Sequence, residues 1–386
     1  MDTPFIYDKS VSGKNFLGRK QNCTSLMNLL SQGENVSIYD VPKAGKSSLL
    51  QQTFLDMQGS GHAFLPIKVS LFNVRSLAAA MTRIVSALIK AAANPSADYG
   101  SAVENLLPGT HFIFSNEEFY EKGDILSIAP EELDDNDIAS VFSLPYRAGS
   151  ENGRKLILIL EEFQNIMLTE DGDRACTILE NMFKELNPDC RRHACYIFCG
   201  SGVNAMKYIF EDKRYFYHQV EHIALDAVEH REIVDNCIKG YLVSGKVLDR
   251  DLMLGVCRLF KGNMWYINHF CSICDHLSKG YIMEPVLQEA LATLISLHEP
   301  RFLAMMNDLT TFQVSLLRAV LDGYKKFSSA DVIREYGLNS SANVHRLKDA
   351  LCKKEILTFD ENDEPVILDP LFEYWAGKYF FEKSVE

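Results

Sequence analysis

The sequence predicts an α/β fold with a mostly parallel sheet, followed by a helical segment and a winged-helix domain. Apolar segments of strand length alternate with helices in the first part of the chain, which implies crossover connections. Helical periodicity then dominates, and three final helices precede two strand-like segments, as in a winged helix. We therefore expect a core at residues 1–225, a helical lid at 226–307 and a winged helix at 308–386.

Composition limits the classes of function. The 386 residues are 47% hydrophobic and 24% charged, an ordinary balance for a globular protein, with a formal net charge of −13. An acidic chain disfavours nonspecific binding to nucleic acid or to anionic membranes. No apolar run approaches the roughly 18 residues of a membrane helix, and the N-terminus lacks a leader pattern. We expect a cytoplasmic protein without a membrane partner.

The ten cysteines are scattered, and several lie in apolar segments, where a reduced thiol packs as a small hydrophobic group. Cys271 and Cys274 form a CxxC within a helical stretch, without a second pair at metal-binding spacing. We interpret them as core thiols, with a redox or metal role as the alternative. The histidines show no zinc-site spacing, so no zinc site is expected.

The predicted core contains an insertion at about residues 95–150, which differs from its surroundings in composition. It is rich in Gly, Pro and Ser, and it includes an acidic run at 131–137. We interpret the acidic run as solvated surface or the start of a helix, with a metal site as the alternative. The predicted strands of the core lie outside it, at 35–39, 64–71, 155–160 and 194–200.

The segment after the first predicted strand is the most informative in the chain. A strand, a loop ending in Gly-Lys-Ser and a helix form a phosphate-binding arrangement, because loop amides and the helix N-terminus converge on one place. Lys46 would reach the β- and γ-phosphates, and the Ser47 hydroxyl would ligate Mg²⁺. Asp40 stands where the first glycine of GxxxxGK[ST] belongs, and its carboxylate would repel phosphate unless it points away. A chance turn at a helix start is the alternative. The predicted nucleotide-binding residues are Pro42, Lys43, Ala44, Gly45, Lys46, Ser47 and Ser48.

A second feature supports this P-loop interpretation. The apolar strand 155–160 ends in two acids, Glu161 and Glu162. In nucleotide hydrolases the first such acid holds the Mg²⁺ shell, and the second positions or deprotonates the attacking water. We therefore assign Glu161 to the metal, although it is one methylene longer than the usual aspartate, and Glu162 to catalysis. Two solvated acids at a strand end are the alternative.

Several motifs occur in a characteristic order along nearly the whole chain: Phe16-Leu17-Gly18-Arg19, the loop at 43–49, the Glu161-Glu162-Phe163-Gln164 box, the strand ending at Ser201, and Asp369-Pro370-Leu371-Phe372. By these motifs the chain resembles the archaeal-type P-loop ATPases of the STAND/AAA+ group, which are also abundant in Bacteroidetes. The resemblance implies ATP and Mg²⁺ as cofactors, Ser201 as the sensor of the γ-phosphate, and a lid and winged helix that move with nucleotide state.

The sequence departs from this family at four places: Asp40, Glu161, the segment 217–219 where an arginine is usual (Arg214 is the nearest), and 262–264, which lacks the proline of a Gly-x-Pro motif. Each change affects hydrolysis or its sensing more than phosphate binding. We expect an ATP-binding switch with weak or regulated ATPase activity, in which a neighbouring subunit could supply the arginine. The alternative is a nucleotide-binding scaffold that does not hydrolyse.

The winged helix suggests a third class of function, a DNA-binding regulator. Its third helix, 342–353, carries cationic and polar residues of the kind that contact DNA. Residues 308–386 nevertheless contain 10 Lys and Arg against 14 Asp and Glu, and the wing loop 360–364 is acidic. DNA binding requires several cations that meet phosphates, so we expect the domain to pack against the ATPase core or a protein partner instead. Trp265 and Tyr266 are expected to be lid core rather than an adenine platform.

Overall fold

The computed structural model describes residues 4–92, 99–114 and 126–382, so parts of the predicted insertion lie outside the described residues. The chain forms two compact units. The first, here called the helical unit, contains residues 1–19, 43–48 and 226–386. The second, here called the sheet unit, contains residues 20–42 and 49–225. None of the described helices is long and apolar enough to cross a membrane.

The sheet unit is built on a parallel sheet. Its described strands are β1 Asn35–Tyr39, β2 Phe64–Ser70, β3 Ile113–Phe114, β4 Leu126–Ser127, β5 Lys155–Glu161, β6 Ala194–Gly200 and β7 Val220–His222. Five of them form one sheet in the order β2-β5-β6-β1-β7, and every pairing in it is parallel. Strands β3 and β4 form a separate antiparallel pair. The predicted α/β fold with a mostly parallel sheet is confirmed.

Helices cover both faces of this sheet. The described α-helices of the unit are α1 Lys20–Gln32, α2 Lys46–Gly59, α3 Leu77–Ala92, α4 Tyr99–Leu106, α5 Asp135–Asn152, α6 Gly172–Glu185 and α7 Val203–Lys207, of which α2 begins in the helical unit. Leu156, Leu158 and Leu160 of β5 belong to one apolar cluster with α3 and α5, and the alternate residues Ile157 and Ile159 are buried as well. A strand covered on both faces is apolar throughout, which explains its continuous hydrophobic sequence.

The acidic run at 131–137 forms a helix start, as the sequence predicted. Asp134 is the N-cap of α5, and Asp134 and Asp137 form a reciprocal capping box. The Asp137 carboxylate, fully buried, also accepts from the His111 amide at 2.8 Å and faces the His111 Nδ1 at 3.0 Å. Burial by itself would raise the pKa of Asp137, but these hydrogen bonds outweigh it and lower the pKa, and Asp137 raises the pKa of His111. Although His111, Asp134 and Asp137 could converge on a metal ion, their hydrogen bonds account for the arrangement without one.

The helical unit ends in a winged helix. Its first part contains α8 His230–Val243, β8 Val247–Leu248, α9 Arg250–Leu259, α10 Met264–Leu277, β9 Tyr281–Ile282 and α11 Glu284–Asn307. Its last part contains α12 Thr311–Leu321, α13 Ala330–Glu335, α14 Ser341–Lys353, β10 Leu357–Phe359, β11 Pro365–Ile367 and α15 Pro370–Trp375. Three helices followed by the antiparallel pair β10–β11 confirm the predicted winged-helix plan.

The helices before the winged helix and the winged helix itself share one apolar cluster. Asp369, from the terminal motif, caps α15 by accepting from the amides of Leu371 and Phe372. Its carboxylate also accepts from the Tyr266 hydroxyl at 2.9 Å. Arg301 of α11 donates to the same carboxylate. The rings of Phe302 in α11 and Trp375 in α15 lie 5.4 Å apart between centroids. The terminal motif therefore joins α15 to α10 and α11.

None of the described cysteines forms a disulfide. Cys271 and Cys274 are buried in α10, and burial raises the pKa of both thiols. A thiol with a raised pKa is a poor nucleophile and a poor metal ligand. The interpretation of this CxxC as two core thiols is confirmed.

Candidate functional site

The predicted phosphate loop lies between β1 and α2, and its geometry requires a glycine near its end. β1 ends at Tyr39 and α2 begins at Lys46. Lys43 and Gly45 have positive φ angles of 67° and 102°. A Cβ atom on Gly45 would also lie 2.7 Å from Nη1 of Arg19. Gly45 is therefore fixed both by its backbone conformation and by the close arginine.

Arg19 holds the loop from the side of the N-terminal motif. Its Nη1 donates to the carbonyl oxygen of Ala44 at 2.7 Å, and its Nε donates to the carbonyl oxygen of Asp226 at 2.8 Å. The preceding Gly18 amide donates to the Glu232 carboxylate at 3.2 Å. Arg19 thus fixes the peptide unit immediately before Gly45. We had not assigned Arg19 a role from the sequence, although the Phe16-Leu17-Gly18-Arg19 motif marks its position.

Asp40 is held by the backbone that follows it. Its Oδ1 accepts from the Val41 amide at 2.7 Å, while its own amide donates to the carbonyl oxygen of Gly200 at 3.4 Å. The carboxylate is therefore turned onto the entrance of the loop. A phosphate could use the Val41 amide only if Asp40 released it, which is a physical consequence of having aspartate in the first glycine's place.

The other predicted loop residues have different environments. Ser47 is exposed in the first turn of α2, whereas the Ser48 hydroxyl accepts from the Val11 amide at 3.1 Å. The ammonium group of Lys43 lies 5.7 Å from the ring centroid of Trp265 in α10, within the range of a cation–π contact. Tyr266 is buried in the helical unit, as predicted, but its neighbour Trp265 is only half-buried.

The predicted acidic residues lie where β5 ends. Glu161 is the last residue of β5, and Glu162 has left-handed backbone angles (φ 55°, ψ 42°) that lead into the 3₁₀ helix Phe163–Leu168. The Glu161 carboxylate lies 2.7 Å from the ammonium nitrogen of Lys68 on β2. The Glu162 carboxylate accepts from the Ser201 hydroxyl at 2.6 Å. The structure thus brings together Glu162 and Ser201, the two residues we assigned to catalysis.

Gln164, which is not among the predicted site residues, completes this group. Its Nε2 donates to the Glu162 carboxylate at 2.7 Å, and its Oε1 is buried without a hydrogen-bond partner among the described residues. A Cβ atom on Gly200 would lie 2.7 Å from that Oε1 and 2.3 Å from Met206. Glycine at 200 therefore allows Gln164 to lie across the end of β6. Its place in the Glu161-Glu162-Phe163-Gln164 box is the signal that could have identified it.

The strand register places these groups at one edge of the sheet. Tyr39 of β1 is paired with Gly200 of β6, and Cys199 of β6 is paired with Glu161 of β5. Asp40, Ser201 and Glu162 each follow one of these strand ends. In open parallel sheets, ligands bind outside the carboxyl ends of the strands. The start of the phosphate loop and the acidic group therefore share the edge where a ligand is expected.

Two further departures from the family pattern lie at 262–264 and at 217–219, and the structure shows the contacts of each segment. Asn263 caps α10 by accepting from the amides of Trp265 at 3.1 Å and Tyr266 at 3.2 Å, and Met264, the first residue of the helix, stands where the family has proline. Arg214, near the place of the expected arginine, has a guanidinium carbon 6.0 Å from the ring centroid of Tyr217. Phe216 between them is buried and has a positive φ of 64°.

Several cations of the winged helix are engaged in ion pairs. Lys348 of α14 pairs with Asp363 of the wing at 2.8 Å and lies 3.9 Å from the ring centroid of Phe359. Lys325 pairs with Glu364 of the wing at 2.8 Å, and Lys354 pairs with Asp308. These pairs reduce the positive charge that the domain offers to a phosphate backbone.

Comparison with known proteins identifies the fold. Residues 300–378 match the sequence profile of a family described as a probable winged helix domain. A Walker-type ATPase of Pyrococcus abyssi is similar over 96% of this chain and 99% of its own, with a TM-score of 0.67 at 15% identity. The ORC2 protein of Aeropyrum pernix, in its ADPNP–ADP complexes, is similar over 95% of this chain and 93% of its own, with a TM-score of 0.54 at 14% identity. A comparison with curated protein sequences gives no significant match.

The chain thus has the fold of the P-loop ATPases, with a winged helix at its C-terminal end. The fold shared with a Walker-type ATPase of Pyrococcus abyssi and with the ORC2 protein of Aeropyrum pernix agrees with the fold that the resemblance to the archaeal-type P-loop ATPases implies.

Proposed function

We propose that this protein binds ATP with Mg²⁺ and acts as a nucleotide-dependent switch whose ATPase activity is weak or regulated. The observation that carries the proposal is the loop between β1 and α2, in which Gly45 has a positive φ and Arg19 holds the Ala44 carbonyl. In this proposal the loop 42–48 surrounds the phosphates, and Lys46 reaches the β- and γ-phosphates. The fold shared with a Walker-type ATPase, and with a protein bound to ADPNP and ADP, supports the choice of ATP.

The residues assigned to Mg²⁺ fit that ion. Magnesium prefers oxygen ligands and retains several of its waters. Ser47 is exposed in the first turn of α2, and the Glu161 side chain at the end of β5 is 22% exposed. Each residue offers an oxygen of the kind that Mg²⁺ prefers, although Lys68 is paired with the Glu161 carboxylate. When bound, Mg²⁺ would neutralise charge that develops on the phosphates.

Regulation of hydrolysis follows from the environment of Glu162. Two hydrogen bonds to one carboxylate oxygen, Oε2, fix the orientation of the Glu162 side chain and so limit how it can meet an attacking water. Ser201 and Gln164 both donate hydrogen bonds to the Glu162 carboxylate. In our proposal, Ser201 exchanges this contact for the γ-phosphate and Glu162 then accepts the water's proton. Turnover is therefore slow unless nucleotide binding rearranges these side chains.

Thermal unfolding tests ATP binding directly. Wild type, Lys46→Ala and the control Lys239→Ala, an exposed lysine on α8, are unfolded without ligand, with Mg·ATP and with Mg·GTP. A ligand at ~100 times its dissociation constant stabilises the native state by roughly 2.7 kcal/mol. We expect this stabilisation with ATP in wild type and Lys239→Ala but not in Lys46→Ala. ATP affinity in Lys46→Ala within about twofold of wild type would refute the proposal.

A second candidate is a nucleotide-binding scaffold that does not hydrolyse ATP. The hydrogen-bonded Glu162 and the aspartate at position 40 favour it. Single-turnover ATP cleavage separates the two candidates. Cleavage that disappears in Glu162→Gln would exclude the scaffold, and bound ATP that stays intact in wild type would favour it.

For the winged helix we propose a protein partner, or a second copy of this chain, rather than DNA. The ion pairs of Lys348 and Lys325 with the acidic wing support this choice. The absence of an arginine at 217–219 supports assembly in particular, because another subunit would then supply that charge. Duplex DNA binding that weakens steeply with salt would favour the DNA-binding regulator instead.

A further inference from the structure

Lys68 stands beside the acid that we assign to the metal. It lies on β2, which pairs with β5 so that Ser70 is opposite Glu161. The Lys68 ammonium nitrogen is 2.7 Å from the Glu161 Oε1. Burial alternates along this part of β2, with Ile67 and Val69 buried and Lys68 exposed. The lysine is therefore fixed on the same side of the sheet as the Glu161 side chain.

This ion pair differs in consequence from others of similar exposure. The side chains of Lys68 and Glu161 are 56% and 22% exposed, and those of Lys184 and Glu180 on α6 are 54% and 18% exposed with a separation of 3.0 Å. Exposed pairs of this kind contribute little to stability. Glu180 has no proposed role, whereas Glu161 is the carboxylate through which a hydrated Mg²⁺ would be held. The positive charge of Lys68 beside Glu161 opposes the binding of a second cation to that carboxylate.

We propose that Lys68 is a positioning residue that competes with Mg²⁺ for the Glu161 carboxylate. The proposal rests on the proposed nucleotide binding. While Lys68 is paired with Glu161, the metal gains little from that carboxylate, so ATP binds almost equally well with and without Mg²⁺. Full use of Mg²⁺ requires the Lys68 side chain to leave Glu161. Because Lys68 is exposed on β2, its side chain can move into solvent.

The competition predicts a change in Mg²⁺ dependence rather than in folding. ATP affinity is measured on the full chain by equilibrium dialysis, first in EDTA and then across a Mg²⁺ titration. The variants are Lys68→Met, Lys68→Arg and the matched control Lys184→Met. In wild type, Lys68→Arg and Lys184→Met we expect Mg²⁺ to strengthen ATP binding by no more than about twofold, whereas in Lys68→Met it strengthens binding on the order of tenfold, because a like charge close to the cation is gone.

Each outcome bears on one proposal. A Lys68→Met protein with the same Mg²⁺ dependence as wild type and Lys184→Met would overturn the competition, as would a wild type that binds ATP only with Mg²⁺. Lys68→Arg tests the role of charge, since a change equal to that of Lys68→Met would also contradict the competition. If wild type retains no ATP in EDTA or at any Mg²⁺ concentration, the proposed function itself fails, and that result is visible before any variant is compared.

Discussion

The phosphate loop and the acidic group at the end of β5 differ in the kind of contact that fixes them. In the loop, the contacts that fix the structure are made to backbone atoms: Arg19 holds the Ala44 carbonyl, and Gly45 has the conformation that a tight turn requires. In the acidic group, the side chains assigned to chemistry are paired with one another or with Lys68. In the proposed function, the loop is therefore organised for a ligand, whereas the acidic group must rearrange before it can act. On that proposal, nucleotide binding and hydrolysis can be altered separately.

Among the variants that test this comparison, Arg19→Ala is expected to have the largest effect, which is a loss of ATP affinity. Arg19 makes two charge-assisted hydrogen bonds to carbonyl oxygens, one of them in the loop. Loss of hydrogen bonds that involve a charged group costs about 1.5–3 kcal/mol, so we expect ATP affinity to fall about 10- to 100-fold. Isothermal titration calorimetry measures the change.

Arg83→Ala is the matched control, because Arg83 also donates to two carbonyl oxygens, those of Ser70 and Phe72 at 3.2 and 2.7 Å. It should leave ATP affinity within about twofold of wild type. Equal losses in the two variants would mean that Arg19 has no specific effect on the loop.

An intermediate effect, confined to the acidic group, is expected from Ser201→Ala. The variant removes the hydroxyl proposed to contact the γ-phosphate, so we expect single-turnover cleavage to slow on the order of tenfold. ATP affinity should change by less than about twofold, since Lys46 and the loop amides are intact. Rapid-quench kinetics and calorimetry measure the two quantities. Faster cleavage would show that the restraint of Glu162 by Ser201 outweighs any contact of Ser201 with the γ-phosphate.

The smallest effect is expected from Asp40→Gly. Removing a partly exposed carboxylate from the entrance of the loop lowers its repulsion of phosphate, and single charges at such sites contribute about 0.2–1 kcal/mol. We expect ATP to bind up to about fivefold more tightly. Asp40→Asn keeps an acceptor for the Val41 amide but removes the charge, and it should give a similar gain. An unchanged affinity in both variants would show that Asp40 does not oppose phosphate.

The sequence predicted those parts of the fold that depend on local pattern. The parallel sheet, the loop before α2, the acids at the end of β5 and the winged helix each have a periodicity or motif that can be read over a few residues. The contacts that distinguish the two regions could not be read in this way. Lys68 has the sequence context of an ordinary strand lysine, and only the pairing of β2 with β5 places it beside Glu161. The same holds for Arg19 and Ala44, which meet through tertiary folding.

The single apolar cluster of the helical unit limits how the winged-helix segment could be exchanged between chains by recombination. The matched winged-helix segment begins at residue 300, inside α11 (Glu284–Asn307), and Phe302 of that helix packs on Trp375. Asp369 is bonded to Tyr266, which lies well outside the segment. An exchange of residues 300–378 alone would keep Phe302 with Trp375 but would separate Asp369 from Tyr266. The contacts of the winged helix are therefore preserved only if α10 is exchanged with it.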